Sequence, residues 1–175
     1  ITFTRTNANY LQIASLPSSF HPGSFSVFSV ARFANAASCS GCSYERVFDF
    51  GNGQASDNIL MARTGASSQI DFSIYLGGTG GDRISSSTFS TNTFIFDVQA
   101  STTTPPFYFN GTADNSATNP NQIAAQVTRT SNYLGRSNWS ADAYFQGGIS
   151  ELLFFRTNLN NTQRILVENY QAAQW

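Results

Sequence analysis

The sequence predicts an all-β fold: two antiparallel sheets packed face to face, with one short helix at the C-terminus. Three observations carry this expectation. About a dozen short runs alternate apolar and polar residues, and clusters of Gly, Asn, Ser and Pro separate them. The run Ile149-Ser-Glu-Leu-Leu-Phe-Phe155 is too short to cross a membrane and too rich in Leu and Phe to face water, so it reads as an inner strand. Just beyond it the period changes. Asn160 followed three residues later by Gln163 is a capping-box arrangement, so a helix is expected over residues 161–171.

In chain order, residues 2–6 and 10–14 read as short strands separated by the turn composition Asn7-Ala-Asn9. Residues 17–23 are a loop. Residues 24–33 carry Phe25, Val27, Ala31 and Phe33 on one face and Phe28 and Val30 on the other, which marks a central strand. Strict alternation over residues 44–50 puts Tyr44, Arg46, Phe48 and Phe50 together, with Glu45, Val47 and Asp49 opposite. Residues 58–63 follow as a strand. Over residues 69–76, Ile70, Phe72, Ile74 and Leu76 point inward, and Asp71, Ser73 and Tyr75 point outward.

Gly77-Gly-Thr-Gly-Gly81 leads into another strand rather than a helix, so it reads as a hairpin tip and not as a phosphate cradle. Residues 92–99 alternate again with Phe94, Phe96 and Val98 inward. Residues 102–106 connect to Phe107-Tyr-Phe109; residues 113–121 are a polar loop ending near a weak strand at 123–127. A short strand ends at Gly135, a polar loop follows, and Gly147-Gly148 reads as a tight turn before the inner strand. In the helix, Leu166 and Tyr170 lie one turn apart and are expected to face the sandwich. The expected core includes Phe28, Phe48, Phe72, Phe94, Phe96 and Phe154.

Three blocks carry a resemblance. The first is Tyr133-Leu-Gly-Arg-Ser, then Tyr144-Phe-Gln-Gly-Gly-Ile-Ser-Glu-Leu, then Arg156-x-x-Leu159 before the capped helix. The second is Arg46-Val-Phe-Asp-Phe-Gly-Asn-Gly53 with Asp57-Asn-Ile-Leu60, and the third is Phe107-Tyr-Phe-Asn-Gly111. In this order they resemble the laminin-G-like jelly-roll domains of the concanavalin-A-like lectin/glucanase superfamily. The resemblance implies a jelly-roll sandwich. That fold hosts lectins, enzymes, adhesins and structural modules, so it leaves function to the site.

Composition narrows the classes. Charged residues make up 11% of the chain, less than half the roughly 25% usual for soluble domains. Every basic residue is Arg, and the net charge is -1, so no basic face exists to follow a phosphate backbone. No apolar run reaches the length of a membrane-spanning helix, so membrane insertion is not expected. The chain reads as one domain over residues 1–175, a mature form or a piece of a longer secreted protein. Asn110, Asn138 and Asn160 open Asn-x-Ser/Thr triplets in loops or at element boundaries, where an extracellular protein could carry glycans. Cys39 and Cys42 lie among small polar residues with no helix behind them, which removes a redox motif. A structural zinc site lacks two further ligands. A local disulfide closing the loop is expected, with pairing to a neighbouring chain as the alternative.

Some sandwiches of the resembled superfamily cleave polysaccharides, which takes two carboxyl groups flanking the bond. Acid-x-acid on one strand, which would place two carboxyls on one face, does not occur, and Glu45 and Asp49 lie about 13 Å apart at strand rise. Acids converging from separate strands stay open. His21, before Pro22, reads as a surface loop histidine. Asp49, Asn52, Asp57 and Asn58 offer hard oxygens of the kind calcium needs, or they build a turn through side-chain-to-backbone bonds.

Trp139 sits in the polar loop Ser137-Asn-Trp-Ser-Ala-Asp142. It is either a sugar-stacking contact with Tyr133, Tyr144, Arg136 and Asp142 as neighbours, or an anchor of its own loop. Two functions compete: a non-catalytic extracellular module that binds glycans or mediates adhesion, and a structural subunit of an extracellular filament or appendage. A polysaccharide hydrolase or lyase comes third. Glycans, extracellular proteins and other copies of the chain are the expected partners.

Overall fold

A computed structural model describes residues 1–21, 23–36, 39–101, 106–114 and 122–175, without the side chain of Arg83. Residues 102–105 of the expected connection and 115–121 of the expected loop lie outside the described residues, and residues 113–114 of that loop belong to a strand. Among the described residues, twelve strands form two six-stranded antiparallel sheets. In the first, the order is β1 (Thr2–Phe3), β12 (Gly147–Phe155), β3 (Phe25–Phe33), β8 (Phe94–Ala100), β9 (Phe107–Phe109) and β10 (Thr112–Asp114). In the second it is β2 (Leu11–Ile13), β11 (Ser131–Leu134), β4 (Arg46–Gly51), β5 (Ile59–Arg63), β6 (Gln69–Leu76) and β7 (Thr79–Thr88). The chain crosses repeatedly between sheets, so neighbours such as β12 and β3 are remote in sequence: a jelly-roll sandwich.

The two inner faces meet in a core dominated by Phe. Phe25, Phe33, Phe48, Phe72, Phe94 and Phe96 are all within 3% of full burial. Their rings meet in stacked, tilted and edge-on pairs, such as Phe33 on Phe89 at 4.4 Å between centroids. Phe154 is half-buried at the rim, against Phe20 and Phe25. Two turns have the geometry their residues demand. Asn110 and Gly111 both have positive φ, at 50° and 77°, between β9 and β10, as a two-residue hairpin requires. Gly77 and Gly78 join β6 to β7, so the expected hairpin tip is there.

Several expectations are corrected. Residues 2–6 break after Phe3 into a 3-10 turn over Arg5–Asn7, and residues 122–128 form no strand. Gly147 and Gly148 are not a turn: they begin β12 and pair with β1 on one side and β3 on the other. A Cβ on Gly147 would lie 1.9 Å from the Arg32 carbonyl oxygen, so only glycine permits this close approach. β1 covers β12 only at those two glycines, so the strand is interior at its start and not along its length. Leu76, expected inward, is 49% exposed because it adjoins the hairpin tip.

Phe28 is fully buried, but on the outer face of β3, where it meets Phe155 edge-on rather than the opposite sheet. The C-terminal helix α1 (Asn161–Gln174) covers this side. Its capping box is present, with Asn160 Oδ1 accepting from the Gln163 amide and Gln163 Oε1 accepting from the Asn160 amide, both at 3.0 Å. Its facing is the reverse of the expected one. Arg164, Glu168 and Gln171 are buried, whereas Leu166 and Tyr170 are exposed. The cause lies in the sheet: Asp97 and Gln99 of β8 are buried on that outer face and demand polar partners. Gln99 is answered within the sheet by Ser26 and Asp97, and the helix turns Arg164 toward Asp97. That side chain pairs with Glu168, lies 4.0 Å from Asp97 and sits 3.6 Å above the Tyr108 ring. Burial first, and then the adjoining Glu168, push the Asp97 carboxyl up from its ordinary range.

Candidate functional site: a depression beside Trp139

The residues expected to point outward from β6 do not meet bulk water. Asp71 and Ser73 are buried and Tyr75 is half-buried, because the loop after β11 folds over the outer face of the second sheet. Together with Tyr44, Arg46, Leu60, Asp82, Trp139 and Asp142 they line a depression of about 190 Å³. Gly80, opposite Tyr75 across β6 and β7, makes room for the wall: a Cβ there would lie 2.5 Å from the tyrosine ring.

Arg46 reaches this face through an irregularity. Strict alternation puts it with Phe48 and Phe50, but the β4–β5 register shifts between Arg46 and Phe48. Val47, Phe48 and Phe50 all enter the core, while Arg46 turns outward with Asp49. A β-bulge re-aims a side chain in this way. Arg46 Nη2 donates to Asp142 Oδ2 at 2.9 Å, and its Nε lies 3.7 Å from Asp49 Oδ2. The guanidinium carbon is 5.3 Å from the Trp139 ring centre and 5.7 Å from that of Tyr44. Arg46 is 5% exposed, and its Nη1 has no hydrogen-bond partner among the described residues. A buried donor left unpaired is costly.

The Trp139 loop is fixed from within and from below. Ser137 Oγ donates to Asp142 Oδ2 at 2.7 Å and accepts from the Trp139 amide at 3.0 Å, and the Asp142 amide closes the turn on the Trp139 carbonyl. The Asn138 amide donates to Asp49 Oδ2 at 2.9 Å, which ties the loop to β4. Trp139 is therefore half-buried, its ring 5.3 Å from that of Tyr75. Opposite, Ser73 Oγ lies 2.6 Å from Asp71 Oδ1 and 2.8 Å from Asp82 Oδ1. Burial, aided by the charge of Asp82, pushes the Asp71 carboxyl up to about 7; burial also raises Asp142.

A second, smaller depression of about 100 Å³ adjoins the first, lined by Arg136, Ser137, Trp139, Ser140, Asp142 and Tyr144. Of the five residues expected at this site, Trp139 among them, the structure thus brings Trp139, Arg136, Asp142 and Tyr144 to one place. Tyr133 lies behind them: Arg136 sits 4.7 Å from the centres of both the Tyr133 and Tyr10 rings. Arg46, Asp71, Ser73, Tyr75 and Asp82 escaped the sequence reading. The outward pattern Asp71-x-Ser-x-Tyr75 was the signal that could have found them.

The other predicted residues sit elsewhere. Asp49 accepts from Asn58 Nδ2 at 2.7 Å, Asn58 Oδ1 accepts from the Ser56 amide, Asp57 Oδ1 accepts from the Gly77 amide, and Asn52 binds Thr130 and Thr128. These side chains hold turns together through hydrogen bonds, the second of the two roles their sequence offers; among the described residues no group of three or more His, Cys, Asp or Glu could hold a metal. Cys39 and Cys42 are joined as a disulfide, and Arg63 Nη1 lies 3.3 and 3.1 Å from their sulfurs. Asn110 and Asn160 are exposed, whereas the Asn138 side chain donates inward to the Ser131 carbonyl. His21 is not on the surface. It is fully buried between Phe20, Phe25 and Arg129, and burial, then the Arg129 charge, lower its pKa to about 4.

Comparison with known proteins agrees with this architecture. Among curated proteins, none matches the chain in sequence. Among solved structures, the carbohydrate-binding module CBM40 of the Ruminococcus gnavus IT-sialidase, bound to α2,3-sialyllactose, superposes with a TM-score of 0.65 at 11% identity, over 91% of this chain and 96% of that one. Domain 4 of AbnA, an extracellular arabinanase of Geobacillus stearothermophilus in complex with arabinotriose, gives 0.65 at 16% identity, over 88% and 69%. Domains LG4-5 of the mouse laminin alpha1 chain give 0.65 at 12% identity, over 91% of this chain and 42% of that one. At such identities the likeness is one of fold. The family model Laminin_G_3 matches residues 5–163, and the chain belongs to that family, within the concanavalin A-like lectin/glucanase superfamily.

Proposed function

We propose that this chain is a non-catalytic, extracellular module that binds glycans or mediates adhesion, with the depression beside Trp139 as its contact surface. One observation carries the reading. Trp139 is held half-buried by its own turn, between two polar depressions whose other walls include tyrosines, carboxylates and Arg46, whose buried Nη1 has no hydrogen-bond partner among the described residues. Aromatic faces for stacking beside fixed polar groups are what sugar recognition needs. The sialyllactose and arabinotriose held by two proteins of like fold support it. The disulfide and the family support an extracellular setting.

Asp71 and Asp82 are the acids that converge from separate strands, yet their arrangement favours binding over hydrolysis. Glycosidic cleavage needs two carboxyls flanking the substrate bond; here the Ser73 hydroxyl bridges them, and Asp71 is buried. A glycan array probed with the purified chain and with Trp139→Ala tests the reading. Binding by the parent and loss in the variant support it, and equal signals from both overturn it. The outward Leu166 and Tyr170 favour a second reading, a module that also packs against copies of itself. Sedimentation over a range of concentrations separates the two.

A further inference from the structure

The two depressions share Trp139 and Asp142, so a single indole ring borders both. We infer that they act as two halves of one groove that takes an uncharged oligosaccharide of at least two sugar units laid across Trp139, and that the half between Arg46 and Asp82 rejects sugars bearing a carboxylate or sulfate. The inference rests on the glycan-binding reading and narrows its ligand class.

Length comes first. The first depression, at about 190 Å³, is smaller than the roughly 300–1,000 Å³ of pockets that enclose a drug-sized ligand. A sugar seated there has its neighbour on the far side of Trp139, where Tyr144 and Arg136 stand. One indole ring bordering both halves is a platform for a chain rather than a lid on a single ring.

Charge comes second. Asp71, Asp82 and Asp142 line the first half, and Arg46 is the one cation among its described lining residues. That cation is already answered by Asp142 at 2.9 Å and by Asp49 behind it. Even with Asp71 sharing its proton at neutral pH, Asp82 and Asp142 outnumber Arg46, so a sugar carboxylate entering here would meet a surplus of like charge. Hydroxyl groups suit the same walls. They donate to the Asp82 carboxylate, exchange hydrogen bonds with the Asp71 carboxyl and accept from Arg46 Nη1, a buried donor without a hydrogen-bond partner among the described residues. That guanidinium also argues against a metal ion among the acids, because it would stand beside the ion as a second cation.

The test is a microarray of neutral oligosaccharides, gluco- and arabino-oligomers of one to four units, beside oligogalacturonates of the same lengths, at neutral pH. Every unit of the galacturonates is charged, so none can place an uncharged ring in the first half. The neutral probes are expected to bind at least about tenfold more tightly than the acidic ones, with affinity rising from one unit to two. Asp82→Asn keeps the oxygen that Ser73 faces and is expected to narrow the discrimination. Galacturonates bound as well as neutral probes, no gain beyond one unit, or unchanged discrimination in Asp82→Asn would each overturn this inference while leaving glycan binding standing. If no probe binds and Trp139→Ala behaves as the parent, the glycan-binding reading fails and takes this inference with it.

Discussion

The Arg46 guanidinium carbon lies 5.3 Å from the centre of the Trp139 ring, although one residue belongs to β4 and the other to a loop near the far end of the chain. The guanidinium and the Tyr75 ring both pack against the indole, which also lines both depressions. Trp139→Ala is therefore expected to weaken glycan binding by about 2 kcal/mol or more, as loss of an aromatic anchor does. Its melting temperature should shift little, because the Ser137–Asp142 turn is held by hydrogen bonds the indole does not make. Isothermal titration beside thermal denaturation checks both. A variant that melts early and binds normally would identify Trp139 as an anchor of its loop.

Phe72 is fully buried between the sheets. Phe72→Ala should cost about 3–5 kcal/mol, from lost transfer energy and the cavity left behind. Urea denaturation measures it, and a loss under about 1 kcal/mol would mean the site collapses around the smaller side chain.

These two residues mark what could be read without coordinates. Phe72 was legible because β6 keeps strict alternation, so a period of two finds its inner face. Trp139 was legible because an aromatic side chain stands out in a polar loop. Arg46 was not, since a register shift at Val47 defeats alternation and leaves no mark in composition. The helix failed for a different reason. Its apolar residues suggest an inward face, but the sheet beneath it buries the polar side chains of Asp97 and Gln99, and setting Arg164, Glu168 and Gln171 against that polar face outweighs burying Leu166. Asp71 and Ser73 were correctly placed on the outer face, yet only the tertiary path of the 136–142 loop turns that face into a depression.

His21 should make the fold sensitive to acid. Its pKa is about 4 in the folded chain, below the roughly 6.5 of an unfolded histidine. As pH falls from 6.5 toward 4, the unfolded state takes up a proton that the folded state refuses. Stability should then fall by about 1.4 kcal/mol per pH unit. Urea midpoints at pH 7 and 4.5, compared with those of His21→Gln, isolate the effect; parallel losses in both would assign the acid sensitivity to other groups.

The Cys39–Cys42 disulfide closes a ring of sequence separation 3, so it removes little entropy from the unfolded chain. The double change Cys39→Ser, Cys42→Ser should cost less than the ~2–4 kcal/mol typical of longer loops. Mass spectrometry of the native protein should show two alkyl labels only after reduction. Labelling without reductant would show that the thiols are free in solution.

Asp71 carries the opposite pH signature to His21. Burial and the charge of Asp82 raise it to about 7 in the folded chain, above the roughly 3.9 of an unfolded aspartate. The folded state therefore holds a proton that the unfolded state releases. The stability this proton contributes is fully present below pH 3.9 and is lost as pH rises through 7. Asp71→Asn keeps an oxygen facing Ser73 Oγ and has no charge to bury. The variant should match the parent near pH 4 and exceed it at pH 8.5, by up to about 1.4 kcal/mol for each pH unit crossed between the two values. Guanidinium denaturation at both pH values measures the difference. A variant weaker than the parent at pH 8.5 would mean that Asp71 is ionised and stabilised at the wall of the depression. The charge facing a bound sugar there would then be larger than the raised pKa implies.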